Sequence, residues 1–173
     1  GCGDNGMNLR YGGDVKIGRL HIWDVNNDGV TDANALLVAS TFDDGGGRLE
    51  IDDLLIDTTM NSTSTRGFTN YADNVIVNHM NIKTNNYYCY YGNGAGRFRV
   101  HSGYLQAGTH TCMVSNSGST IQNVVFVGAY GINLSLTSTG GLHIVNCDFD
   151  DCTNTFQGDE TGKVDYNAGN RGY

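Results

Sequence analysis

Apolar residues recur along this chain in a four-point figure: an aliphatic anchor, with other apolar residues two positions before it and three and five positions after it. The anchors are Ile17, Ile51, Val77, Val100, Ile121 and Ile144, and the +5 residues are Ile22, Ile56, Ile82, Leu105, Phe126 and Phe149. At −2 stand Val15, Leu49, Val75, Phe98, Ser119 and Leu142; at +3 stand Leu20, Leu54, Met80, Gly103, Val124 and Cys147. A strand sends alternate side chains to opposite faces, so −2 and 0 share one face, as do +3 and +5. The change of parity between them demands a bend. At +2 the residues are Arg19, Asp53, His79, Ser102, Asn123 and Asn146, mostly short polar types suited to bends.

Strand, bend and second strand therefore repeat at intervals of 34, 26, 23, 21 and 23 residues, the signature of a solenoid. A third strand fits about ten residues after each second strand, at 87–91, 110–114, 132–136 and 154–157. A β-sandwich needs turns at roughly 8–12-residue spacing but does not need the same figure six times over.

Two of the repeats, Ile121-Gln122-Asn123-Val124-Val125-Phe126 and Ile144-Val145-Asn146-Cys147-Asp148-Phe149, resemble those of right-handed parallel β-helices. That architecture belongs to pectate lyases, polygalacturonases, phage tailspikes and many surface proteins. The resemblance implies an all-β fold. It would be a right-handed parallel β-helix solenoid of about six coils over residues 14–157, one for each anchor. A short helix or loop insertion is expected near residues 24–40 and a polar Gly-rich tail over 158–173, all in one domain. The resemblance also implies that Asn123 and Asn146 bond along the stack in a two-rung ladder. Arg19, Asp53, His79 and Ser102 depart from that Asn pattern. On activity the resemblance is silent, because one fold hosts many functions.

Composition agrees with a turn-dense β chain. Of 173 residues, 25 are Gly, none is Pro and only 16% are charged, against roughly 25% in ordinary domains. The apolar share of 39% is too high for a disordered chain, and the Gly follows no collagen period. Missing Pro suits strands that donate hydrogen bonds to a ladder. A net charge of −8 with 10 basic residues argues against a nucleic-acid partner. No apolar run approaches the roughly 18 residues of a membrane span. Gly1-Cys2-Gly3 opens the chain without a Met, the expectation for a processed or excised chain. Residues 1–13 and 158–173 are too polar to form amphipathic caps, so open ends are expected to join copies, as a homo-oligomer or end to end.

The sharpest local motif is Asp24-Val25-Asn26-Asn27-Asp28-Gly29-Val30-Thr31-Asp32. Asp24, Asn26, Asp28 and Asp32 offer side-chain oxygens, Val30 a carbonyl, and Gly29 the sharp turn that a tight Ca²⁺ loop requires. It resembles the calcium loop of dockerins and EF-hands, except that Ala35 stands where those have an acidic twelfth residue. Asp43 or Asp44 is the substitute ligand in this reading, and residues 32–40 read as a short helix. An ion-free surface turn accounts for the same residues. With one such loop instead of two, cohesin binding is not expected.

Cys89 and Cys112 both lie 12 residues after their anchors, hence at one position in adjacent coils. The roughly 4.8 Å between rows suits a disulfide, and suits a column of free thiols equally well; the expectation taken is a bridge. Cys147 falls at a core position, with Cys152 facing it across the turn.

Catalysis on such a fold needs close carboxylates or a base beside them. The best group is Asp148 and Asp150, both outward and about 7 Å apart along a strand, though acidic residues at the last coil also keep it soluble. Asp52, Asp53 and Asp57 form a similar group. Outward alternation selects Tyr88 and Tyr90, with His101 and Tyr104 on the next coil, as a ligand-contact region able to stack on sugars, or else as core and rim packing. The function expected is a non-catalytic extracellular, cell-surface or virion-associated module of a fibre, spike or filament, self-associating and binding a cell-surface glycan. The alternatives are a piece of a polysaccharide lyase or glycoside hydrolase, and a secreted carbohydrate-binding module.

Overall fold

The apolar figure folds into stacked rows of parallel strands. The structure, a computed structural model, describes residues 5–10, 12–23, 33–43, 47–60, 65–85, 87–93, 97–115, 118–134, 141–159 and 161–172. Strands β1 (Asn5–Leu9), β2 (Val15–Trp23) and β3 (Ala33–Val38) precede a 3-10 turn at Ser40–Asp43. Then come β4 (Leu49–Thr58), β5 (Thr65–Asn70), β6 (Val75–Thr84), β7 (Tyr90–Gly92), β8 (Phe98–Val100) and β9 (Gly103–Gln106). β10 (Thr111–Val114), β11 (Thr120–Gln122), β12 (Val124–Asn133), β13 (Leu142–Val145), β14 (Asp148–Gln157) and β15 (Val164–Ala168) follow.

All of these strands belong to one sheet, and every pairing between them is parallel. Two columns make it up. In one, β2, β4, β6, the β8–β9 pair, the β11–β12 pair and the β13–β14 pair lie side by side, with β15 beside β13. In the other, β1, β3, β5, β7 and β10 lead to the distal halves of β12 and β14. β12 and β14 run through the corner between the columns, which is why the columns count as a single sheet.

The register follows the apolar figure. Ile17 pairs with Ile51, Ile51 with Val77, Val77 with Val100, Val100 with Ile121, and Ile121 with Ile144. The +5 residues align likewise from Ile22 through Ile56, Ile82 and Leu105 to Phe126. Slipping any row by one residue would turn its apolar set outward. The inward residues from Leu49 to Phe149 form one buried cluster, in which Tyr90 stacks on Phe98 and Phe126 on Phe149.

The expected bend at +2 takes two forms. Asn123 and Asn146 hold left-handed backbone (φ 50° and 53°) and interrupt the strand. In β2, β4 and β6 the strand continues through Arg19, Asp53 and His79. Parity changes there because two successive side chains, such as Asp52 and Asp53, both face out.

One expectation is corrected, and both polar ends contribute strands. Residues 33–38 are strand instead of helix: Ala33, Ala35, Leu36 and Val38 are buried, and β3 is hydrogen-bonded between β1 and β5. Ladder pairing overrides the helix preference of Ala and Leu. The polar stretch 1–13 contains β1, whose Met7 and Leu9 pack on the core, and the tail 158–173 contains β15, whose Val164 does the same.

Candidate functional site

Among the described residues, those assigned chemistry by the sequence have largely structural neighbourhoods. Asp148 and Asp150 do face outward, but Arg171 reaches both: its guanidinium bonds Asp148 and lies 4.0 Å from Asp150. Asp150 N–H also donates to Asp148 Oδ1 at 3.1 Å. Arg171 thus engages both carboxylates of the pair. The second group is dispersed in the same way. Asp52 accepts from Asn78 at 2.8 Å, Asp53 from Arg19 at 3.1 Å, and Asp57 from the Thr59 hydroxyl at 2.6 Å.

The bend column is a run of side-chain contacts between rows. Arg19 meets Asp53, His79 Nδ1 lies 3.0 Å from Ser102 Oγ, and Asn146 Nδ2 is 3.5 Å from Asn123 Oδ1. Asn123 Nδ2 donates to the His101 carbonyl at 2.9 Å. The Asn ladder is thus two rungs long, and unlike residue types carry equivalent contacts elsewhere in the column.

Tyr88 and Tyr90 separate. Tyr90 is 1% exposed and stacks on Phe98 with ring centroids 4.1 Å apart, while Asn70 donates to its hydroxyl at 3.3 Å. Burial pushes its hydroxyl pKa well up from the ordinary value. The alternation argument failed here because β7 begins only at Tyr90, so Tyr88 lies outside the strand and Tyr91 takes the outward place. Tyr88 is half-buried, 4.4 Å from the His110 ring and 5.5 Å from that of Tyr91. Arg66 lies over Tyr91 at 4.6 Å. Burial lowers the His110 pKa, favouring neutral imidazole. Tyr104 stands in the other column, with Lys83 5.8 Å above its ring.

Cys89 and Cys112 occupy adjacent rows, as their spacing requires; Cys89 N–H donates to the Cys112 carbonyl at 2.9 Å. Both are free thiols in this structure. Each sulfur is directed at carbonyls instead: Cys89 at Ile82, 3.5 Å away, and Cys112 at Val127, 3.2 Å away. Cys152 lies in register with Gly128, beside Cys112, and that neighbouring thiol together with burial raises its pKa. Gly128 leaves the room, since a Cβ there would come within 3.1 Å of Cys112 Sγ. For Cys112 the Cys152 bond lowers the pKa, but its bond to Cys89 and burial outweigh it. Burial pushes Cys147 up to about 11.

Asp24, Asn26, Asp28, Val30 and Asp32 lie outside the described residues, as do Asp44 and the side chain of Asp43. Ala35, at the twelfth position, is a buried strand residue with no side-chain oxygen to offer. Among the described residues, no three His, Cys, Asp or Glu side chains are placed to hold a metal ion.

His101, of the ligand-contact residues, borders a sizeable cavity of about 540 Å³, together with Arg97, Arg99 and His143. Sequence reasoning missed these three. The signal was present as Arg97-x-Arg99-x-His101, basic residues at the alternating outward positions around β8. No protein-family model matches the chain, and neither curated proteins nor solved structures give a match.

Proposed function

We propose that the rows wind as a right-handed parallel β-helix, and that the chain is a non-catalytic structural or attachment module. It would belong to an extracellular or virion-associated fibre, spike or surface filament, and self-associate through its first rows. One observation carries this reading. Val15, Ile17, Leu20 and Ile22 of β2 are only partly buried, whereas their register partners Leu49, Ile51, Leu54 and Ile56 are fully enclosed. Among the described residues β2 pairs with β4 alone, leaving its other edge open. Trp23 at the end of that strand is 68% exposed. An open parallel edge with half-covered apolar residues accepts another strand readily, and the complementary occupant is the far end of a second copy, where β14 and β15 present the other outer edges. The carboxylate groups support the non-catalytic part, since each is engaged in an ion pair or hydrogen bond. The right-handed winding follows the rule for parallel crossovers. Negative-stain imaging tests the proposal: rods longer than one molecule are expected, and isolated particles at all concentrations would refute it.

A further inference from the structure

In a chain carrying 18 acidic and 10 basic residues, the cavity at β8, β11 and β13 is an electrostatic exception. Arg97, Arg99, His101 and His143 line it, and among the described residues no Asp or Glu does. A second cavity of about 230 Å³ shares Arg97 and Arg99 and adds Arg48, again with no carboxylate among its described lining residues. Arg48 is held by Glu50 at 3.0 Å, Arg19 by Asp53 and Arg171 by Asp148. Arg97 and Arg99 are exposed, and among the described residues neither side chain has an ion pair or hydrogen bond. Neutral hydrogen-bonding groups stand beside them. Arg99 and His143 are the register partners of Thr120 on either side, and Gln122 Oε1 lies 3.2 Å from His101 Nδ1. Ser119, 1% exposed, also borders the cavity, and its hydroxyl has no hydrogen-bond partner among the described residues.

We propose that this cavity binds an anionic saccharide, one bearing carboxylate or sulfate groups. The volume is that of a small-molecule site, well beyond a single inorganic ion. Among the described residues its lining combines two Arg side chains with hydroxyl, amide and imidazole groups and includes no apolar side chain, which matches a polyhydroxylated anion better than an acyl chain. Successive rows repeat their donors at about 4.8 Å, so a chain of sugars lying across the strands meets one set per row. A net charge of −8 repels a long polyanion such as nucleic acid, whereas a short ligand inside the groove responds mainly to charges within a Debye length, about 8–10 Å. The inference supplies a ligand class for the attachment reading and rests on it only for its biological purpose.

The test is calorimetric titration of the purified chain with a tetragalacturonate, a chondroitin sulfate tetrasaccharide, neutral maltotetraose and an oligodeoxynucleotide of matched charge. At least one of the two acidic sugars is expected to bind, the one that binds identifying carboxylate or sulfate as the preferred group. Binding should weaken with added salt and fall about tenfold or more in Arg97→Ala/Arg99→Ala. Unchanged thermal melting of the double variant confirms that it is folded. No binding by either acidic sugar, undiminished binding by the double variant, equal binding of maltotetraose, or tighter binding of the oligonucleotide would each overturn the proposal. Rods in negative stain without sugar binding would sink this inference alone; sugar binding by a strict monomer would sink the self-association alone.

Discussion

Phe126 and Phe149 lie face to face in successive rows, with ring centroids 4.7 Å apart and planes within 5°. Each stands five residues after its anchor, so the stack translates the sequence repeat directly into core packing. Truncating either ring removes the area it buries and leaves its partner facing a void. Phe126→Ala or Phe149→Ala is expected to cost about 3–5 kcal/mol, with the double variant costing less than the sum. Urea denaturation curves of the three variants check this, and strict additivity would count against the stacked pair.

Asn146 holds left-handed backbone and donates to Asn123 in the row before. An L residue without a compensating local hydrogen bond is strained there, by roughly 1–2 kcal/mol. Asn146→Ala should therefore destabilise by about that amount, and Asn146→Gly by clearly less. Equal losses in thermal melting would show that backbone geometry is not the cause.

Acid should unfold the chain through carboxylates whose pKa is lowered in the folded state. Glu50 is lowered by its bond from Lys16; for Asp57, burial opposes the lowering but the two Thr59 bonds prevail. A folded pKa below the unfolded one means the unfolded chain binds more protons as pH falls. The stability these groups add is thus present above their ordinary values of 4.5 and 3.8 and is lost as pH drops through the lowered folded values. The melting temperature should fall below about pH 4.5, and Glu50→Gln with Asp57→Asn should flatten that fall. An unchanged acid limb in the double variant would contradict it.

The thiol arrangement predicts selective alkylation. Cys89, Cys112 and Cys147 are buried and Cys152 is partly exposed, while the pKa values of Cys112, Cys147 and Cys152 are all raised. Iodoacetamide at mildly alkaline pH should label Cys152 before Cys89, Cys112 and Cys147, which react only on unfolding. Peptide mapping that finds Cys89 and Cys112 joined before any oxidant is added would contradict the free-thiol column.

What was legible in the sequence was the row register, because four apolar positions per row repeat with a period that only one alignment satisfies. Less legible were the elements whose apolar content is thin. β1 buries little beyond Met7 and Leu9, and β15 little beyond Val164, so polarity concealed strands that neighbouring ladders stabilise. Ala33–Val38 reads as helix by propensity and is strand by pairing. At the candidate site, Asp148 and Asp150 faced outward as alternation requires, but their cation, Arg171, comes from 23 residues further on, in a stretch read as tail. Tyr90 turned inward because a strand's parity starts where its ladder starts, and that point is set by β5 and β10 on either side.

Self-association through the open edge of β2 is the central claim, and sedimentation equilibrium tests it most directly. The wild-type chain is predicted to show a mass that rises with concentration beyond the monomer. Ile17→Lys, which places a charge at a partly buried position of that edge, is predicted to stay monomeric with its far-ultraviolet circular dichroism retained. A wild type that remains monomeric throughout, or an Ile17→Lys variant that associates equally well, would contradict the account.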